Sequence, residues 1–262
     1  MLVLAVVAAT VFAQQPGGAS AARDLANWTN IVYSVSGGIA FNVHSVTMTR
    51  DGFLTAADRR LGMDVRGRAT SEQLSRLSVV LKSARDARKT PPMPDAIGTS
   101  LTVTVAGRAY DVEPTPELTN LLESVWKDTI AQAIVGSWTQ SGWKPCHPVA
   151  QMTSIDVPIE DLNLRGDGTF SVTWRGGGAR TTEVPPVTLP DYSGRYTITP
   201  ELGAIHVAFP PGVPAPRDFN GDGSFQIAQD TLTLKNLWLG TRTASHKPDI
   251  CELTFERKFD KK

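Results

Sequence analysis

The sequence predicts an α+β N-terminal domain, an antiparallel sheet carrying two helices, followed by an all-β antiparallel barrel. Three observations lead there. Both segments with clean helix-start signals lie before residue 135, and the apolar runs after Gly136 alternate at the period of a strand. Turn residues punctuate the whole chain, with 22 Gly and 18 Pro in 262 residues. The domains are placed at 28–134 and 135–262, with the boundary at the end of the second helix.

Ile31 to Val35 reads as a strand, and Ser36-Gly37-Gly38 as the turn after it, because paired glycines accept positive φ without steric cost. Phe41 to Thr49 alternates, Asp51-Gly52 turns a hairpin, Phe53 to Arg59 returns, and Val65 to Arg68 adds a strand. Thr70-Ser71-Glu72-Gln73 has the spacing of a capping box. With Leu74, Leu77, Val80 and Leu81 at helical intervals, it predicts a helix from Ser71 to Ala87, which Pro91, Pro92 and Pro94 forbid from continuing. Leu101, Val103 and Val105 alternate with Thr102 and Thr104; Ala106-Gly107 turns, and Ala109 to Glu113 completes a second hairpin. The second helix takes Thr115 as N-cap and Pro116 as its first residue. Its apolar stripe is Leu118, Leu121, Leu122, Val125, Trp126 and Ile130.

Beyond Gly136 the readable strands are Arg165 to Ser171, Tyr192 to Ile198, Ala204 to Phe209, Thr231 to Leu239 and Ile250 to Lys258. About seven or eight strands in roughly 120 residues without a helix is the arithmetic of a barrel or sandwich.

Met1 to Phe12 is an apolar run too short for a bilayer span, and Ala13 offers a signal-peptidase site. Residues 1–13 therefore read as a signal peptide and 14–27 as a Gly/Ala/Ser-rich linker; the alternative for the apolar run is an uncleaved buried strand. A mature protein without a membrane span, secreted or periplasmic, is the consequence. Cys146 and Cys251 are the only cysteines and have no CxxC spacing, so in an exported chain they read as a structural disulfide, with two buried thiols as the alternative. Lys+Arg and Asp+Glu both number 26, which leaves no field for nucleic acid or an anionic membrane.

The order of features from Ile31 to Trp126 resembles the emfourin-like family of small secreted proteins, whose characterised member inhibits thermolysin-type (M4) zinc metalloproteases. The residues that carry the resemblance are Ser36-Gly37-Gly38-Ile39-Ala40, Arg50-Asp51-Gly52, Asp58-Arg59-Arg60, Gly67-Arg68, and Gly107-Arg108-Ala109-Tyr110 before Pro116 and Leu118. The family pattern has Arg before SGG and an aromatic with a second small residue after it, where this chain has Val35, Ile39 and Phe41. The resemblance implies that Ser36, Gly37, Gly38, Ile39 and Ala40 enter a protease cleft, since residues without bulky side chains let backbone groups come close to a partner. A simple tight turn is the other reading of these glycines.

The second segment is similar to the lipocalin-like domains of the calycin group. Gly136-Ser137-Trp138 matches the G-x-W that opens the first barrel strand, and Arg257 stands at the end of the last, where the family packs an Arg across that Trp. The resemblance implies that Trp138 and Arg257 close the barrel. Trp143, Trp174 and Trp238, with Phe170, Phe225 and Tyr192, then either line a cavity for a small apolar ligand or fill the interior.

Catalytic signatures are absent from the sequence: no HExxH, no G-x-S-x-G elbow and no phosphate-binding glycine loop. His44, His147, His206 and His246 are scattered, which predicts isolated surface or strand positions. Asp218, Asn220 and Asp222, followed by Gly223, fit the start of a calcium loop, but its twelfth position is Gln229 where a bidentate Glu belongs; a polar turn is the alternative. No other cofactor is expected. The function expected is therefore a secreted, non-enzymatic inhibitor of a metalloprotease, or else a carrier of a small apolar ligand.

Overall fold

The computed structural model describes residues 25–36, 44–87, 98–146, 159–175, 191–212, 219–239 and 250–259. The signal-peptide assignment lies outside them, as does all of the linker except Leu25–Asn27. These three residues form a 3₁₀ turn that buries Leu25 and Ala26, so the folded part begins before Trp28.

Six strands and two helices make the first half. They are β1 (Trp28–Ser36), β2 (His44–Thr49), β3 (Phe53–Asp58), β4 (Met63–Arg68), α1 (Ser71–Leu81), β5 (Gly98–Val105), β6 (Arg108–Asp111) and α2 (Pro116–Ile134). The strands pair antiparallel in the order β6-β5-β1-β2-β3-β4. Period-2 alternation turns Ile31, Tyr33, Val46, Met48, Leu54, Ala56, Val65, Leu101 and Val103 inward, all buried. Thr47, Thr55 and Thr102 take the opposite parity across the register with Val32. One face is thus apolar, and α2 packs on β2, β3 and β4.

The capping box at Thr70 is formed in both directions: Gln73 N–H donates to Thr70 Oγ1 at 3.1 Å, and Thr70 N–H donates to Gln73 Oε1 at 2.9 Å. The helix ends at Leu81, not at Ala87. Residues 85–87 are extended instead: Asp86 bridges Val112, Ala87 N–H donates to Asp111 O, and Glu113 N–H to Arg85 O. Backbone groups engaged by a distant segment in this way are lost to the helical ladder. α2 starts at Thr115 and Pro116 as the sequence predicts, and its apolar stripe is buried throughout.

Eight strands make the second half: β7 (Gly136–Pro145), β8 (Ile159–Leu164), β9 (Thr169–Trp174), β10 (Tyr192–Thr199), β11 (Ala204–Ala208), β12 (Asp222–Ala228), β13 (Thr231–Lys235) and β14 (Ile250–Arg257). Each pairs antiparallel with the next and β14 returns to β7, closing an up-and-down barrel. Two expected strands have other bounds than the sequence suggests: β9 starts later than Arg165 and runs on to Trp174, and β13 ends at Lys235. Residues 165–168 are a turn, with Gly168 at φ 77°, and Asn236 at φ 57° ends β13, leaving Trp238 in an isolated bridge with Asn220.

The barrel has two unlike ends. Connections 165–168, 200–203 and 229–230 are short and share the end that meets α2. The ends of β7, β9, β11 and β13, from which the long connections leave, lie at the other. Inside, Phe170, Val172, Phe225, Ile227, Leu232 and Phe255 are buried. A Cβ on Gly194 would stand 2.6 Å from the Phe170 ring, so the wall around that ring is packed to contact.

The two halves are continuous. β12 meets β4 in a parallel pairing at Ala228 and Asp64, Lys127 on α2 pairs with Glu201 between β10 and β11, and the buried residues form one cluster. No helix among the described residues is long and apolar enough to cross a membrane.

Candidate functional site

Ser36 ends β1 opposite Gly98, and His44 begins β2, so the two residues are the roots of the β1–β2 connection. Gly37, Gly38, Ile39 and Ala40 lie outside the described residues. What lies under the roots is a polar network the sequence did not announce. Tyr33, pointing inward from β1, donates its hydroxyl to Glu123 Oε1 of α2 at 2.7 Å, and His44 Nε2 meets the same oxygen at 2.8 Å. The Trp126 ring lies 4.7 Å from the imidazole at 35°, and its indole N–H donates to Ala57 O at 3.3 Å. One carboxylate thereby fastens β1 at Tyr33 and the first residue of β2 to the helix.

The electrostatics agree with that role. Burial alone would raise the Glu123 carboxyl, but the hydrogen bonds from His44 and Tyr33 and the charges of His44 and Lys127 outweigh it and hold the group below its ordinary value. Tyr33 is pushed far above the usual phenol range, by burial first and then by its bond to Glu123 and that residue's charge. Among the described residues, His44 Nε2 is hydrogen-bonded to Glu123. The pair is arranged as a tether.

A signal for it existed in the strand parity. A tyrosine sharing the buried face of β1 with Ile31 needs an acceptor for its hydroxyl. Glu123 itself reads as an ordinary polar flank of α2. His206, also expected to stand alone, pairs through Nδ1 with Asp222 at 2.6 Å on the barrel surface.

The barrel-closing pair is in place. Arg257 lies 4.2 Å from the centre of the Trp138 ring, donates from Nη1 to Val135 O at 2.9 Å and from Nη2 to Ala133 O. Trp138 in turn donates its indole N–H to Ile134 O at 2.9 Å. These bonds satisfy carbonyls that the end of α2 leaves without helical partners. Gly136, at φ 147°, is needed here because a Cβ would sit 2.5 Å from Arg257 Nη1. Cys146 and Cys251 are joined as a disulfide across β7 and β14, with a Cα–Cα distance of 4.8 Å and a sequence separation of 105.

Towards the long-connection end, Tyr192, Phe209 and Phe219 form a chain of ring contacts that reaches inward to Phe170, with centroids 4.7 to 6.1 Å apart, and Trp174 joins it at Tyr192. Among the described residues the buried Trp174 indole N–H has no hydrogen-bond partner. Of the calcium candidates, Asp218 lies outside the described residues. Asn220 donates from Nδ2 to Asn236 O at 2.6 Å and to Asp222 O at 3.3 Å, while the Asp222 carboxylate holds His206.

No protein-family model matches the chain, and neither a curated protein nor a solved structure matches it.

Glu123 supplies a test of the tether. A carboxyl held below 4.5 in the fold stabilises it at neutral pH, and that contribution is lost as pH falls through the folded value. Urea denaturation should find Glu123→Gln about 2 kcal/mol less stable than wild type at pH 7, with the gap shrinking towards pH 3. A gap independent of pH contradicts the network.

Proposed function

We propose that the protein is an exported, non-enzymatic binding protein whose Ser36 to Ala40 turn enters the cleft of a thermolysin-like zinc metalloprotease. The observation that supports this reading is the fastening to α2, through Glu123, of the β2 root at His44 and of β1 at Tyr33, three residues before Ser36. A binding loop gains affinity when its ends are fixed beforehand, because less conformational freedom is lost on association. A small-residue turn raised on such a base lets backbone groups approach a narrow cleft. The disulfide fits an oxidising, extracytoplasmic setting. The test is a thermolysin inhibition assay with the intact chain. It should slow peptide hydrolysis at micromolar concentration, and Gly38→Trp should abolish the effect while leaving the thermal midpoint unchanged. Full protease activity in the presence of the wild-type chain contradicts the reading.

A second reading draws on the buried Trp174 N–H, which has no partner among the described residues, beside the aromatic rings at the long-connection end. Buried donors normally have partners, and a small apolar ligand bearing one acceptor would supply one. The packing around Gly194 and Phe170 confines such a ligand to that end of the barrel. Titration with a fatty acid should change the tryptophan fluorescence saturably, and Trp174→Phe should weaken the binding. An unchanged spectrum at saturating fatty acid removes this reading.

A further inference from the structure

A pocket of about 390 Å³ lies where the two halves meet, away from both sites above. Its walls are the end of β4, the last turns of α2 at Thr129, Gln132 and Ala133, and the β12–β13 turn with Arg257. The position follows from an interrupted strand pairing. β4 pairs with β3 along its whole length, but its other flank meets β12 only at Asp64, whose carbonyl accepts from Gln229 N–H at 2.8 Å. Gln229 then adopts φ 52° and the chain turns away into β13. Beyond Asp64, that flank of β4 opens into the pocket.

Strand alternation states which backbone groups face it. Asp64 O points to β12, and Ala69 N–H points the opposite way, to Gly52 O at 2.8 Å. Residues of even number on β4 therefore turn their amide and carbonyl outward. Arg66 presents one donor and one acceptor on the free flank, and among the described residues no backbone hydrogen bond is made to them. Such a flank is a template for another extended chain.

The charges around the pocket select what kind. Arg66, Arg68 and Arg257 line it against Asp230 alone. Arg68 is held in place over the Phe53 ring, 4.1 Å from its centre, and the Arg257 Nε lies 3.6 Å from Asp230 Oδ1. A small anion would answer the arginines but leave the paired donor and acceptor of Arg66 unused. An extended backbone answers both.

We propose that this pocket takes a short extended peptide bearing carboxylates, which continues along β4 where β12 leaves it, pairing with the backbone of Arg66 and facing its acids to Arg66 and Arg68. The mode is strand addition to a free edge, with main-chain bonds giving affinity and the cationic rim giving selectivity. The proposal is independent of the protease-binding turn.

The test uses the intact chain and fluorescein-labelled Thr-Val-Glu-Val-Glu, read by fluorescence anisotropy. Binding should saturate, and Thr-Val-Lys-Val-Lys should bind about tenfold more weakly. Arg66→Ala removes charge alone. Arg66→Pro also removes the outward N–H, a change an edge strand tolerates because the β3 ladder does not use that group, and it should weaken binding about fivefold more than Arg66→Ala, the worth of one hydrogen bond. In the wild-type protein, saturating peptide should slow hydrogen exchange of the Arg66 amide at least about tenfold. That measurement decides the matter even if Arg66→Pro fails to fold. Equal binding of the two peptides, equal affinities of Arg66→Ala and Arg66→Pro, displacement by N-acetylglutamate at the peptide's own concentration, or an unprotected Arg66 amide each overturns the proposal.

Discussion

The guanidinium of Arg257, on the last strand of the barrel, lies over the Trp138 ring of the first strand and donates to the carbonyls of Ala133 and Val135 at the end of α2. One planar cation with several donors serves closure of the barrel and attachment of the helix together. The end of α2 lacks a left-handed glycine cap; Val135 is extended, and Trp138 and Arg257 supply the missing hydrogen bonds from outside. A lysine could not do this, because a single ammonium lacks the fork that reaches two carbonyls while lying flat on an indole.

Much of the remaining geometry follows from where that clamp sits. It brings the short-turn end of the barrel against α2, so the ends of β7, β9, β11 and β13 are left at the far end. It also fixes the β12–β13 turn beside β4, where Gln229 bonds Asp64 and then departs. The halves meet over a pairing one residue long, and the pocket is the space that short pairing leaves. In the chain-entropy account the disulfide, closing a loop of 105 residues, contributes about 4 to 5 kcal/mol at the opposite end of the same β7–β14 seam. The first and last strands are therefore held at both ends by side-chain chemistry.

Local signals in the sequence were legible because their causes are local. The capping box at Thr70, the Pro116 start of α2, the hairpin at Asp51-Gly52, the disulfide and the Gly136-Ser137-Trp138 opening all correspond to structure at the same residues. Failures arose where distant chain decided the outcome. α1 stops early because residues 85–87 pair with the end of β6, and β13 stops early because Asn236 turns left-handed and Trp238 bridges Asn220. β8 and β12 were not singled out, although each supplies buried residues to the barrel. The Glu123 network was invisible except for an inward tyrosine, since its members are 79 and 90 residues apart. The free flank of β4 is a consequence of topology and has no sequence mark at all.

The most direct test of this account is the unfolding free energy of Arg257→Ala and Arg257→Lys, measured in urea, with hydrogen exchange of the Trp138 indole N–H followed in parallel. The account predicts a loss of about 3 kcal/mol in the alanine variant, little recovery in the lysine variant, and faster exchange at Trp138 in both. Alanine within about 0.5 kcal/mol of wild type, or full rescue by lysine, would show that the clamp is not what holds the barrel shut on its helix.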